Sequence, residues 1–374
     1  MLWQKSADGL ISTVLEAARR ASSFPAKPKV PQMSVDSLTD EYDRKVQQQI
    51  DQYVTEAIHD LPDIFHVWSH EFIRPGFLSV FGIESVNDFY AEAVREVSQD
   101  FSRTVRILSV GCGDGTVEIE LANSLRAQGA DFRLDGADLS PVLIDRFRGS
   151  VDANGLGGCV FPTVEDLNRV SGGEQYDVVM ANHSLHHIMD LEKIFDFIWE
   201  VLAPQGIFAT SDMIGRNGHM RWPETEVMLQ AIWPLLSEKQ RFHHQLLQSQ
   251  LDGFRDFDCS HEGFEGIRAQ DILYLILNKF HPYKFFGYGG FVEVLVDRGF
   301  GHGFNAEDEK HRAFITAFAK INDMMLDSGM IKPTIMTAYF TKDDRGEIAY
   351  RGRTARSSLR LPFETPSWVA YQPR

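Results

Sequence analysis

Three cysteines, Cys112, Cys159 and Cys259, are all that this 374-residue chain carries. They lie too far apart in sequence for a disulfide framework or a cysteine-based metal cluster, so a reducing, cytoplasmic setting is expected. No apolar run approaches the ~18–20 residues that a membrane-spanning helix needs. The opening stretch, MLWQKSADGLISTVLEAARR, lacks the sustained apolar segment of a secretory signal. Positive charge is in deficit: 37 Lys+Arg against 53 Asp+Glu leave 37 − 53 = −16. Binding to a phosphate backbone needs a basic face, so a nucleic-acid partner is not expected. What is present is ordinary globular usage, 43% hydrophobic and 24% charged residues. The length suits two domains or one large domain with extensions.

Patterning divides the chain. Residues 1–36 include a proline-rich stretch, SSFPAKPKVPQMS, without helical or strand periodicity, and read as a flexible segment. Residues 37–103 read as an N-terminal helical cap, with helical spacing in SLTDEYDRKVQQQIDQYVTEAI, a second helix over Ser85–Val97, and between them the aromatic-rich FHVWSHEFIRPGFLSVFG. That aromatic stretch packs a core or lines a ligand cavity.

From 104 to 214 short apolar runs (VRILSVG, FRLDGADL, CVFPTV, YDVVMAN, GIFATSDM) alternate with helices near Val117–Gln128, Val142–Asn154 and Leu191–Leu202. Such alternation implies right-handed βαβ units and a parallel sheet covered on both faces. Residues 215–282 read as a helical insertion or lid, with FHHQLL at 242–247 as a helix face. Residues 283–342 supply the last strands, YKFFGYG and PTIMTAYFTK, and a helix capped by Asn305; 343–374 read as a solvated basic tail.

The first strand of the sheet ends in VGCGDGT. A glycine-rich turn between strand and helix brings backbone close to a ligand, with N–H groups directed outward. The dinucleotide pattern G-x-G-x-x-G fails at Thr116, and there is no Gly-Lys-Ser/Thr of a phosphate-binding loop. The companions of the loop add weight: Asp138 ends the second strand, where a carboxylate can accept both ribose hydroxyls. Glu165-Asp166-Leu167 follows the third strand, the fourth opens into NHSLHHI, and LAPQG precedes the fifth.

The order VGCGDG, GADLS, VEDLN, YDVVMANHSLHH and VLAPQGIF resembles class I S-adenosylmethionine-dependent methyltransferases over roughly residues 104–213. The resemblance implies a Rossmann-like, mostly parallel seven-stranded α/β sheet with helices on both faces and S-adenosylmethionine as cofactor. It places Gly111, Cys112 and Gly113 on the methionine side, Asp138 with Leu139 at the ribose, and Glu165, Asp166 and Leu167 at the adenine. Asn182 and His183 would lie beside the sulfonium. The family often carries an acid two positions before the first glycine, where this chain has Ser109.

Methyl transfer to a hydroxyl benefits from a base, and His183, His186 and His187 follow the fourth strand. After the fifth strand, GRNGHMRWPE offers His219 as a further base candidate and Arg216, Asn217, Arg221 and Trp222 as acceptor-binding candidates; the same segment also reads as a turn leading into a helix with Pro223 in its first turn. His219 with Asp212 or Glu224 matches no metal-ligand spacing, and no metal is expected. The expected activity is O-methylation of a small molecule. Nitrogen or carbon methylation, including of a protein, or a non-catalytic scaffold, are the alternatives, and a homodimer is the candidate assembly.

Overall fold

The computed structural model describes residues 61–98, 103–167, 172–261 and 264–362. The expected flexible segment at 1–36 and the helix over residues 37–58 lie outside them. The described chain opens with α1 (Asp63–Trp68), a π-helical turn at Ser69–Ile73, α2 (Arg74–Phe81) and α3 (Phe89–Val97). Alternation follows: β1 (Val105–Val110), α4 (Thr116–Ala127), β2 (Phe132–Asp138), α5 (Pro141–Ala153), β3 (Val160–Val164), β4 (Tyr176–Asn182), α6 (Leu191–Val201) and β5 (Leu202–Met213).

Each element follows from its residues. The centres of β1, β4 and β5 (residues 107–110, 178–181 and 206–210) are continuously buried and mostly apolar because both faces of a parallel sheet are covered. α6 buries Leu191, Ile194, Phe195, Ile198 and Val201, one face at helical spacing, and Asp190 caps it by accepting from the Lys193 N–H. Ser140 caps α5, with Pro141 in the first turn where its missing N–H is harmless.

After β5 come α7 (Pro223–Ile232), α8 (Ala269–Leu277), β6 (His281–Tyr288), α9 (Phe291–Val296), α10 (Glu309–Asp327), β7 (Ile335–Thr341) and β8 (Ile348–Ala349). The sheet order is β8-β6-β7-β5-β4-β1-β2-β3. β7 alone runs antiparallel, pairing Phe340 with Phe208 of β5 and Ala338 with Phe285 of β6. The sheet has eight strands where seven were expected. The extra one is a two-residue pairing of Ile348 with Lys284 and Ala349 with Phe285, too short to leave a hydrophobic signature. The carboxyl ends of β1, β2, β4 and β5 share one edge, where open α/β sheets bind ligands.

Three other expectations are corrected. FHHQLL is no helix: Phe242–His243 pairs with Gln248–Ser249 as a small hairpin, and His244 donates its N–H to Gly299 O. Between α7 and α8 the described chain holds only this hairpin, short 3-10 turns and irregular segments, so 215–282 is less helical than its composition suggested. The cap of α10 is Asp308, whose Oδ1 accepts from Lys310 N and His311 N, while Asn305 closes the preceding turn.

The aromatic stretch of the N-terminal helices does both things open to it. Phe77 packs edge-on against Phe286 and Phe81 against Tyr339, while Phe65, Trp68 and Phe77 also line a large cavity.

Nor is the tail up to residue 362 simply solvated. Arg353 and Arg360 are buried, and the Arg360 guanidinium meets the Glu224 carboxylate at 2.8 Å while lying over the Trp222 ring. Glu224 is fully buried, so removing its partner would strand a charge away from water. Arg360→Ala is therefore expected to lower unfolding stability by about 3 kcal/mol, read as a shift of the urea midpoint.

Candidate functional site

The loop after β1 is shaped by backbone that only glycine adopts easily. Gly115 has φ +77, and a Cβ there would sit 2.0 Å from the Phe147 ring; Gly111 has φ +72 and would meet Ser184 Cβ at 2.4 Å. The loop N–H groups are not aimed outward. Those of Gly111 and Cys112 both go to Ala137 O, and that of Gly113 goes to Asp138 Oδ2 at 2.9 Å. The turn is thus tied to the end of β2. Asp138 also accepts from Ser140 N at 2.8 Å, and burial raises its pKa despite these donors.

A cavity of about 300 Å³ opens against this loop. Gly111, Cys112, Gly113, Asp138, Leu139, Asp166, Leu167 and Asn182 all line it, as do His183, Ser184, His187 and Phe264. Of the cofactor residues expected from sequence, Glu165 is the one that does not. These walls fit S-adenosylmethionine: a partly open carboxylate at Asp138 for ribose hydroxyls, apolar Leu139, Leu143 and Leu167 for an adenine face, and Gly113 without a side chain to fill the space.

At position 109, where the resemblance leads one to look for an acid, Ser109 is itself paired with a buried acid. Ser109 Oγ donates to Glu118 Oε1 at 2.6 Å from the first turn of α4. Glu118 is 2% exposed, and burial pushes its pKa up to about 7. Nothing local marks Glu118, which the fold brings to Ser109 from nine residues further along the chain.

A second cavity, about 1320 Å³, lies on the other side of the β4 end. Its described walls include Phe65, Trp68, Phe77 and Tyr90 from the N-terminal helices. Facing them are His186, His219, Glu265 and Arg221. Asn182, His183 and His187 line both cavities and mark their junction. Tyr90 donates toward Ala181 O and Asn182 Oδ1, both at 3.1 Å, and braces this point from α3.

Asp212, at the end of β5 and fully buried, organises the histidines. Its Oδ2 accepts from Ser184 N and Leu185 N at 3.0 and 2.8 Å, and its Oδ1 lies 2.6 Å from His186 Nδ1. Burial alone would raise its pKa, but His186 and the backbone donors outweigh that and lower it. His186 is reciprocally raised to about 10: burial disfavours its charge, and Asp212 more than compensates. Burial and the neighbouring His186 push His187 down to about 3, and burial lowers His183 as well. The His183 ring surface is open, but to the cavity space, and its backbone is held at φ +49.

Glu265, absent from the sequence reading, is the second organiser. It lies 2.6 Å from His219 Nε2, which must carry the proton because an ionised carboxylate only accepts. His186 and His219 hold its pKa well below the usual range against the burial that would raise it. No local motif marks Glu265; the fold brings it 46 residues along the chain to His219. Of the remaining candidates, Arg221 lines the large cavity, with its N–H on Asp256 and its guanidinium 3.7 Å from Glu293. Trp222 is buried beneath Arg360, Asn217 pairs with Gln270, and Arg216 reaches back to Arg221 O.

Residues 108–208 match a family model described as a methyltransferase domain. The chain is 25% identical over 125 residues to the non-reducing polyketide synthase esdpA of Penicillium shearii, covering 33% of this chain and 6% of that protein. It is 26% identical over 133 residues to the demethylmenaquinone methyltransferase of Leptospira interrogans, covering 34% of this chain and 51% of that one. The matched segments thus span about half of the menaquinone relative and a small part of the synthase. Among solved structures, the O-methyltransferase of a trans-AT polyketide synthase multienzyme from Brevibacillus brevis, in complex with S-adenosyl-L-homocysteine, is 13% identical with a TM-score of 0.40, covering 90% of this chain and 87% of that one.

The buried Glu118 has a consequence for pH. Its folded pKa of about 7 exceeds the ordinary 4.5, so the folded chain holds this proton more tightly than the unfolded one. That stabilisation is complete below about pH 4.5 and lost as the pH rises through about 7. For Glu118→Gln the fall in thermal stability between pH 5 and pH 8 should shrink, by up to about 3 kcal/mol. An unchanged pH dependence would show that Glu118 is not the group that titrates.

Proposed function

Because residues 108–208 match a methyltransferase-domain model, we propose that the chain is a class I S-adenosylmethionine-dependent methyltransferase that methylates a hydroxyl group of a small-molecule acceptor. The observation that carries this reading is the junction: Asn182, His183 and His187 border both the cofactor cavity and the large cavity. A group bound in the large cavity meets the cofactor cavity at a histidine.

Bound in the smaller cavity, S-adenosylmethionine supplies a methyl group already activated on a sulfonium, so the protein's part is chiefly alignment and proton handling. Asp138 would hold the ribose hydroxyls, the loop at 111–113 would flank the methionine portion, and Leu167 with Asp166 would meet the adenine. His183, kept neutral near pH 7 by burial, takes the acceptor's hydroxyl proton. Tyr90 fixes Asn182 beside it. Arg221 and the aromatic wall of Phe65, Trp68 and Phe77 hold the body of the acceptor. A cavity of about 1320 Å³ is larger than the ~300–1,000 Å³ of most ligand pockets, which supports a large acceptor, with several rings or a long chain.

Transfer of labelled methyl from S-adenosylmethionine to a panel of hydroxylated phenols, polyketides and sugars tests the reading. Asp138→Ala should abolish binding of S-adenosylhomocysteine. His183→Gln should keep that affinity within about threefold while lowering kcat by roughly 10²–10⁴. In the wild type, kcat/KM should hold down to pH values below the ordinary histidine range and fall only as His183 protonates. Transfer to nitrogen or carbon acceptors alone would replace the hydroxyl reading; cofactor binding without transfer to any acceptor would favour a scaffold.

A further inference from the structure

His186, His187 and Glu265 stand on two separate segments, a 3-10 turn after β4 and the loop before α8, yet their donor atoms all lie within 4.8 Å of one another. The spacing is informative. His186 Nε2 is 3.5 Å from Glu265 Oε1, and His187 Nε2 is 3.7 Å from Glu265 Oε2. An N–H···O hydrogen bond has its mode at about 2.9 Å, which the 2.6 Å contact of His219 to the same carboxylate satisfies and these do not. Ligands around a tetrahedral ion with bonds of about 2.0–2.1 Å stand roughly 3.3 Å apart. The two long contacts have the spacing of ligands that share an ion.

We propose that His186, His187 and Glu265 form a binding site for a divalent transition-metal ion, with its open positions facing the large cavity. Two imidazoles and one carboxylate are the donor set of catalytic zinc and non-haem iron sites, and they do not suit magnesium or calcium, which prefer all-oxygen ligation. The surroundings are those of a metal ligand. Asp212 holds His186 Nδ1 at 2.6 Å, aiming Nε2 at Glu265 and making the ring more basic. His219 anchors the carboxylate through a hydrogen bond to Oε1 at 2.6 Å, the oxygen that also faces His186. All three ligands border the large cavity. Charge also balances: the ionised Asp212 and Glu265 offset a dication with neutral imidazoles, and binding releases the His186 Nε2 proton to solvent.

The inference rests on the O-methylation reading for its purpose. An acceptor oxygen on the ion has a more acidic O–H. That bond breaks as His183, outside the ligand set, takes the proton. The freed oxygen pair bonds the methyl carbon, and the methyl–sulfur pair leaves with sulfur.

The test is titration of the chelator-stripped full chain with Co²⁺, read by its visible ligand-field absorption, with Zn²⁺ as competitor. One Co²⁺ per chain is expected. Binding should be lost in Glu265→Gln and His187→Gln and weakened about 10–100-fold in Asp212→Asn. It should be unchanged in His261→Gln, which alters an exposed histidine outside the cluster. The circular dichroism spectrum and urea midpoint, measured on the same samples, report whether each variant is folded. No stoichiometric Co²⁺ in the wild type overturns the site. So does wild-type binding by both ligand variants, or loss with Cys259→Ser but not with His187→Gln, which would place the ion between His219, Cys259 and Glu265. If Co²⁺ fails to bind while methyl transfer persists in chelator, the metal site alone is wrong. If Co²⁺ binds through these residues and no acceptor is methylated, the site stands and the O-methylation reading falls.

Discussion

The Asp212 carboxylate is the constraint on which the site depends. A charge with no solvent exposure must be met by donors, and here they are the Ser184, Leu185 and Met213 N–H groups and the His186 ring. Satisfying that one carboxylate fixes the path of the chain as it leaves β4. Ser184 in turn donates to Val110 O at 2.6 Å, so the same turn is locked to the end of β1 beside the glycine loop. The end of β5 thereby positions the residues at the ends of β1 and β4, and the three strands act as one platform.

That platform separates two chemical environments within a few residues of each other. On one side the smaller cavity is bounded by glycine backbone, Asp138 and leucines. On the other, the larger cavity has an aromatic wall from the N-terminal helices and an ionic wall built on Glu265, Arg221 and the histidines. The three adjacent histidines after β4 differ in protonation because their surroundings differ. His186 faces a carboxylate and is held charged. His187 lies against His186, ring centroids 4.2 Å apart, and is held neutral.

The pairing of Ser109 with Glu118 shows how a carboxylate beneath the glycine loop can come from a helix in place of a strand. Glu118, in the first turn of α4, meets the Ser109 hydroxyl of β1 at 2.6 Å and lines neither cavity. A residue-by-residue reading of the β1 motif sees only the serine. The same limit applies to Glu265 and to Arg360, whose partners lie 46 and 136 residues away. None of these pairs leaves a local pattern.

Local and periodic features were therefore legible. The alternation of apolar runs with amphipathic helices predicts the parallel sheet, because strand and helix burial have different periods that survive in one dimension. Gly111, Gly113 and Asp138 could be placed at strand ends because turn chemistry and strand length are local. The eighth strand and the burial of Arg353 were not legible, because each depends on the fold around it and not on its own composition; the hairpin at 242–249 pairs locally, but its two-residue strands are too short for a pattern and it is tied to Gly299, far along the chain. Tertiary structure alone decided which histidines meet which carboxylates. Asp212 reaches His186 across 26 residues and Glu265 reaches His219 across 46, and desolvation of those charges, a property of the folded interior, sets their protonation.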